Sequence, residues 1–291
     1  SPMAVADSTD LHGYCLDVAR RAQAAAAELS QLRGTTKNEW LRRSAAELRR
    51  QSAALQEANA LDIAAAPAFG LTPAAIDRLR LTPKTIESMS RALEEIAQLR
   101  DPIGELIEST IRPNGLEIQK VRVPLGVVFF IYESRPNVTS DAAALCVKAG
   151  NAIILRGGSE ALESNRALAN AARDALALAG LPTDAVQLVG TTDRELVGNL
   201  LGRSDAIDLV IPRGGEDLIR RVEAQARMPV LKHYQGNCHV YVEETADPSL
   251  VRRVVVDAKC QRPGTCNAAE KLLVDAGWAR RHLGELGAAL S

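Results

Sequence analysis

Apolar residues recur at helical spacing through the first third of the chain. Leu41, Ala45, Leu48 and Leu55 make one stripe, and the run Ala24 to Ala27 adds high helix propensity with small side chains, so residues 11–66 read as two helices. Pro67, Gly70 and Pro73 then break the pattern. Thr82-Pro83 predicts the start of a third helix, with Ile86, Met89, Leu93, Ile96 and Leu99 on one face. Over residues 103–123 the pattern changes. Ile107, Ile111, Leu116, Ile118, Val121 and Val123 flank Pro113-Asn114-Gly115, and Asn-Gly between β-rich segments predicts a hairpin. Such a hairpin either packs on its own chain or has its edges covered by another.

From Pro124 short apolar runs alternate with amphipathic ones. Val127–Tyr132, 152–155, 186–189 and 207–211 read as buried strands. Helices are expected from a Ser140 cap through Val147, then over 160–179, 193–201 and 216–226, before Val230-Leu231. This alternation predicts an α/β fold with a Rossmann-like doubly wound parallel sheet. A helix-like stretch over 248–259, a strand-like run Lys271-Leu272-Leu273-Val274 and a helix over 278–290 close the chain. The expected organisation is a helical part over 1–102, the hairpin over 103–123, a nucleotide-binding part over 124–232 and a second α/β domain over 233–291.

Composition narrows the picture by exclusion. With 46% hydrophobic and 24% charged residues and a net charge of -1, the chain shows no general pull toward nucleic acid or an anionic membrane surface. No apolar run reaches the length of a membrane span, and Ser1-Pro2 ahead of Met3 looks like an expression scar. Five cysteines without CxxC pairing fit reduced thiols and a cytoplasmic location. His233, Cys238 and His239 read as strand and loop residues rather than a zinc site, so no metal is expected.

Candidate chemistry lies in three stretches. Two expected strand ends carry Arg156-Gly157-Gly158 (followed by Ser159-Glu160) and Arg213-Gly214-Gly215, each just before a helix. Glycines let the backbone approach an anion, and a helix N-terminus offers N–H groups to phosphate. The pair reads as a dinucleotide site in the absence of GxGxxG, with plain turns as the alternative. Arg156 stands where a cation would accommodate a 2′-phosphate, which favours NADPH over NADH. The third stretch is Gln261-Arg262-Pro263-Gly264-Thr265-Cys266-Asn267. Arg262 favours a thiolate at Cys266, which suits a nucleophile. A small core residue is the competing role for such a cysteine. Cys15, Cys146, Cys238 and Cys260 read as non-catalytic. Arg135 and Arg262 are candidates to grip a phosphate or carboxylate in bidentate fashion, with structural salt bridges as the alternative.

The wording of three stretches, in order, resembles the gamma-glutamyl phosphate reductases of the aldehyde dehydrogenase superfamily. These are Tyr132-Glu133-Ser134-Arg135-Pro136-Asn137-Val138-Thr139, Leu155-Arg156-Gly157-Gly158-Ser159-Glu160 and Gln261-Arg262-Pro263-Gly264-Thr265-Cys266-Asn267-Ala268. The resemblance implies that Cys266 takes the acyl group of L-glutamyl 5-phosphate as a thioester, that NADPH reduces it to L-glutamate 5-semialdehyde, and that this is the second step of proline biosynthesis. It also implies that Asn137 donates its amide N–H to the acyl oxygen, although a turn or cap role is common for Asn after Pro. The superfamily places its hairpin in an oligomerisation region, so a homo-oligomer is expected; contact with glutamate 5-kinase is left open. Hydrolytic relatives carry a glutamate that activates water, whereas no acid occurs here between Arg227 and Val242. The family often has an acid near Gln235, so the likeness is looser at that point. Relatives continue well past Ser291, which makes the catalytic domain look incomplete. A coenzyme A-acylating aldehyde dehydrogenase and a silent nucleotide-binding or assembly fragment are the competing readings.

Overall fold

The computed structural model describes residues 10–290 apart from Ser134, Thr192, Tyr234, Gln235, Arg262, Gly264 and Cys266, and gives the backbone alone for Ala74 and Arg194. The chain divides into two compact units, Ser1–Lys232 and His233–Ser291.

The first unit opens with α1 (Leu11–Leu29), whose first turn is capped by Asp10 accepting from the Gly13 N–H at 2.7 Å. The next two helices are α2 (Gly34–Arg50) and α3 (Ser52–Ala65). Three helices therefore stand where the apolar spacing predicts two. The break falls at Gln51, which leaves helical geometry at φ -91°, ψ 9° and donates its side-chain amide to Glu47 at 2.8 Å. Leu41, Ala45, Leu48 and Leu55 are all buried, so the stripe runs across the break and hides it from a periodicity argument. A short helix α4 (Pro73–Leu79) was not expected either. Pro73 starts it rather than breaking it, behind a Thr72 cap. α5 (Pro83–Gln98) begins at the Thr82 cap as predicted, with Ile86, Met89 and Leu93 buried. Leu99 is a correction: it lies past the helix end in extended backbone, 57% exposed, and Ala97 fills the last buried position.

β1 (Leu106–Ile111) and β2 (Glu117–Val121) form the antiparallel hairpin, with Thr110 opposite Ile118. Gly115 turns it at φ 85° and donates to the Arg112 carbonyl at 2.8 Å. Every residue of both strands is exposed, including Ile111 at 74%.

The body of the unit is β3 (Val127–Tyr132), α6 (Asn137–Lys148), β4 (Ala152–Arg156), α7 (Leu162–Leu178), β5 (Val186–Leu188), α8 (Arg194–Leu201), β6 (Leu209–Arg213) and α9 (Glu216–Gln225). The strands form one parallel sheet in the order β5-β4-β3-β6. β3, β4 and β5 are buried almost throughout, as expected of strands covered on both faces. Ala22, Ala25 and Ala26 of α1 are buried in the same core, where small side chains let a helix lie close to its neighbours. Several boundaries move. α6 starts at Asn137, not at a Ser140 cap, because Pro136 already has helical dihedrals and Ser140 lies buried in the first turn. β6 starts two residues after the expected Ile207, although Asp208 already donates its N–H to the Val127 carbonyl at 2.9 Å and accepts from the Val127 N–H on its carboxylate at 2.8 Å. Val230 makes a single bridge to Val210.

The second unit is a smaller βαβ arrangement: β7 (His239–Val242), α10 (Pro248–Cys260), β8 (Lys271–Val274) and α11 (Ala276–Leu290). β7 and β8 pair in parallel, Tyr241 beside Leu273. Val242, Val251, Val255, Trp278 and Leu286 make its core, and the Trp278 indole donates to the Ala246 carbonyl at 2.9 Å.

Candidate active site

Parallel pairing brings the carboxyl ends of three strands to one edge. Ile131 lies beside Arg156 and Tyr132 beside Arg213, so the segments leaving β3, β4 and β6 emerge together. β4 and β6 sit on opposite sides of β3, which makes this edge the topological switch point where open α/β sheets form their ligand crevice. Both Arg-Gly-Gly turns, Glu133 and Asn137 are therefore at this edge.

The first turn is built on a buried polar network. The Tyr132 hydroxyl and Thr139 Oγ1 lie 2.5 Å apart, and Thr139 Oγ1 donates to Asn165 Oδ1 at 3.0 Å. All three side chains are at most 1% exposed, and burial pushes the Tyr132 phenol well above its usual range. Gly157 lies directly on this network: a Cβ there would overlap Asn165 Nδ2 and come 3.2 Å from Tyr132 Cζ. Arg156 is partly buried and donates from Nη1 to the Gly157 carbonyl at 3.1 Å. Ser159 opens a short 3-10 turn, and the Glu160 carboxylate folds against Gly158. The N-terminus of α7 beyond it is already occupied. Asp62, reaching across from α3, accepts from the Glu163 N–H at 3.1 Å, the Ser164 N–H at 2.7 Å and the Ser164 hydroxyl at 2.5 Å.

The second turn is open. Arg213, Gly214 and Gly215 are exposed, and Glu133 accepts from the Gly215 N–H at 3.1 Å. Both helix N-termini thus carry a carboxylate from elsewhere in the unit. The expectation of free N–H groups at each is corrected accordingly, for those N–H groups that Asp62 and Glu133 hold. Sequence reasoning missed both acids. Glu133 was within reach, since it directly follows β3 beside the Arg-Pro-Asn stretch. Asp62 carries no local signal, because its partners lie about a hundred residues away.

After β3, Arg135 is exposed and its carbonyl accepts from the Val138 N–H at 3.0 Å, closing the turn into α6. Asn137 is the first residue of that helix, partly buried, and donates its side-chain amide to Asp141 Oδ2 at 3.0 Å. Burial pushes the Asp141 carboxyl up, and the Asn137 hydrogen bond opposes that shift in part.

In the second unit, Arg262, Gly264 and Cys266 lie outside the described residues. The ends of their loop are pinned. The Ala269 N–H donates to the Ala258 carbonyl at 2.9 Å, and the Glu270 and Lys271 N–H groups donate to the Cys238 carbonyl at 2.9 and 3.1 Å. Of the other cysteines, burial pushes the Cys15 thiol up to about 11 and the Cys146 thiol up to about 12, which holds both protonated and poorly nucleophilic. Cys260 is exposed at the end of α10. Among the described residues no group of His, Cys, Asp or Glu could hold a metal ion, and no helix is long and apolar enough to cross a membrane.

The aldehyde dehydrogenase family model matches residues 12–291, and the chain belongs to that family. Within it, the chain is 57% identical over 267 residues to the gamma-glutamyl phosphate reductase of Rhodopirellula baltica, covering 92% of this chain, and 53% identical over 260 residues to that of Desulfatibacillum aliphaticivorans, covering 89%. The chain spans about 62% of the length of these curated relatives. Among solved structures it is similar to gamma-glutamyl phosphate reductase from Thermotoga maritima, at 42% identity and a TM-score of 0.89 over 94% of this chain and 66% of that one. An acetylating aldehyde dehydrogenase from Geobacillus thermoglucosidasius, 19% identical with a TM-score of 0.67 over 96% of this chain and 59% of its own, shares the fold.

Proposed function

We propose that the protein reduces L-glutamyl 5-phosphate to L-glutamate 5-semialdehyde and phosphate, with NADPH, in proline biosynthesis. The observation that carries this is the order of the three motifs. The Glu-Ser-Arg-Pro-Asn and Arg-Gly-Gly-Ser-Glu stretches follow adjacent strands at the switch point, and the Cys266 loop follows α10, in a chain 57% identical to a protein named for that reaction.

The thiolate of Cys266 attacks the acyl carbon and expels phosphate, which leaves the acyl group on sulfur. Asn137 donates an amide N–H to the acyl oxygen as charge builds on it, an interaction worth ~3 kcal/mol in the transition state. Arg135 and Arg262 hold the phosphate or carboxylate of the substrate, each able to make a planar two-point contact. The stretch from Arg227 to Val242 holds no acid to activate water, so the acyl–sulfur ester survives long enough to be reduced. The switch-point residues fit a dinucleotide. Gly157 has no room for a side chain above Asn165, which leaves backbone alone on that surface, and Arg156 supplies the cation for a 2′-phosphate. Ser159, Glu160, Arg213, Gly214 and Gly215 complete the same edge. NADPH, when bound there, supplies the hydride that brings the acyl group to the aldehyde level.

The exposed apolar hairpin supports a homo-oligomer, since Leu106, Ile107, Ile111, Ile118 and Val121 of this two-stranded ribbon stand in water. The reading also places the protein in the cytoplasm and leaves open a contact with glutamate 5-kinase. The test runs the reaction backward on the whole gene product with glutamate semialdehyde, NADP and phosphate, following the reduced cofactor. Turnover that requires phosphate is expected. Turnover that requires coenzyme A instead, or none despite cofactor binding, overturns the proposal.

A further inference from the structure

Asn137 and Asp141 are joined by a hydrogen bond that the proposed chemistry does not by itself require. Asn137 begins α6, and Asp141 lies one turn further along the same face. A carboxylate accepts and does not donate, so the atom of Asn137 at 3.0 Å from Asp141 Oδ2 is the amide nitrogen and not the oxygen. That single contact settles which end of the amide is which. It also fixes the plane of the group. One N–H is directed at Asp141, which leaves the second for another acceptor.

Bond geometry then matters more than bond strength. An unrestrained Asn side chain rotates about its terminal torsion and presents its carbonyl oxygen as readily as its nitrogen. Turned that way, it would repel a developing oxyanion. A donor held in place before the reaction begins costs no reorganisation when charge appears. Asp141 is itself partly buried against the body of α6, where burial disfavours its charged form, so the Asn137 amide is also the group that compensates it.

We propose that Asp141 is a positioning residue that orients the Asn137 amide so that its second N–H faces the acyl oxygen of the substrate. This rests on the reading of Asn137 as the oxyanion donor. The alternative is an ordinary pair in the first turns of a helix, of slight effect on stability and silent in catalysis.

The experiment is a double-mutant cycle on the whole gene product, read by steady-state kinetics of the phosphate-dependent reaction together with thermal melting. Asp141→Leu removes the acceptor and is expected to lower kcat about 10-fold, with KM for the semialdehyde changed less than about twofold. Asp141→Asn keeps an acceptor oxygen and is expected to recover most of that loss. In an Asn137→Ala background, itself slowed about 100-fold, Asp141→Leu is expected to cost nothing more. The proposal is overturned if Asp141→Leu keeps full kcat while Asn137→Ala is crippled. It is equally overturned if the Asp141→Leu loss persists undiminished in the Asn137→Ala background, or appears only as a lower melting temperature. Should Asn137→Ala keep its kcat, the oxyanion reading fails instead, and the two failures are told apart by that one variant.

Discussion

Two turns of identical sequence, Arg156-Gly157-Gly158 and Arg213-Gly214-Gly215, end neighbouring regions of one sheet and yet differ in almost every physical respect. The first rests on Tyr132, Thr139 and Asn165, all buried and hydrogen-bonded to one another. The second is exposed and held from outside by the carboxylate of Glu133. At Gly157 an added Cβ meets a buried amide with nowhere to go. At Gly214 it would lie 2.6 Å from Glu133 Oε2 and 2.7 Å from Leu218 Cδ2, the tips of side chains that can swing aside, and at Gly215 it meets nothing. The same three letters thus encode a rigid seat in one place and an adjustable one in the other. Under the proposed function, the rigid turn sets cofactor position and preference, and the open one lines the same edge.

The comparison breaks most visibly at Gly157. Gly157→Ala is expected to destabilise the protein by about 2–3 kcal/mol, lowering the melting temperature by roughly 5–10 °C in a thermal scan. A normal melting curve would mean that the buried network has slack. Next comes charge. Arg156→Ala is expected to raise KM for NADPH about 10-fold, or about 1.4 kcal/mol, and KM for NADH far less. Arg213→Ala should act on both cofactors alike, so equal losses of NADPH preference in the two variants would erase the distinction. Last are the glycines of the open turn. Gly214→Ala is expected to cost under about 1 kcal/mol, and Gly215→Ala close to none, since Gly215 has φ -63° and ψ 160°, a conformation any residue adopts. A Gly215→Ala loss as large as that at Gly157 would contradict the contrast.

How much of this was legible beforehand follows the range of the interactions. Strands β3 and β4 and helices α5, α9 and α10 could be read closely because each carries its own signal: a continuous apolar run, a Thr-Pro or Asp-Pro start, a glycine after a strand. The kink at Gln51 was not, because the buried stripe passes through it without a change of phase. The start of α6 was misplaced because a serine looked like a cap while a proline with helical dihedrals preceded it. The crevice itself was legible from strand alternation alone. What filled it was not. Asp62 caps α7 from another helix, Glu133 caps α9 from the segment after β3, and Asn165 sets the limit at Gly157 from the next helix along. None of these contacts leaves a trace at the position it controls. Asn137 was singled out as a donor, but the Asp141 that holds it shows only as an acid one helical turn away, a spacing that many surface pairs share.

The claim on which the function depends is that the acyl group passes through the sulfur of Cys266. The direct measurement is the phosphate-dependent oxidation of glutamate semialdehyde by the Cys266→Ser variant, alongside mass mapping of the acylated peptide in the unaltered protein. The account predicts a rate lower by about 10³-fold or more, with cofactor binding retained and acylation confined to Cys266. A serine variant that turns over at a comparable rate, or an acyl group mapped to Cys260, would contradict it.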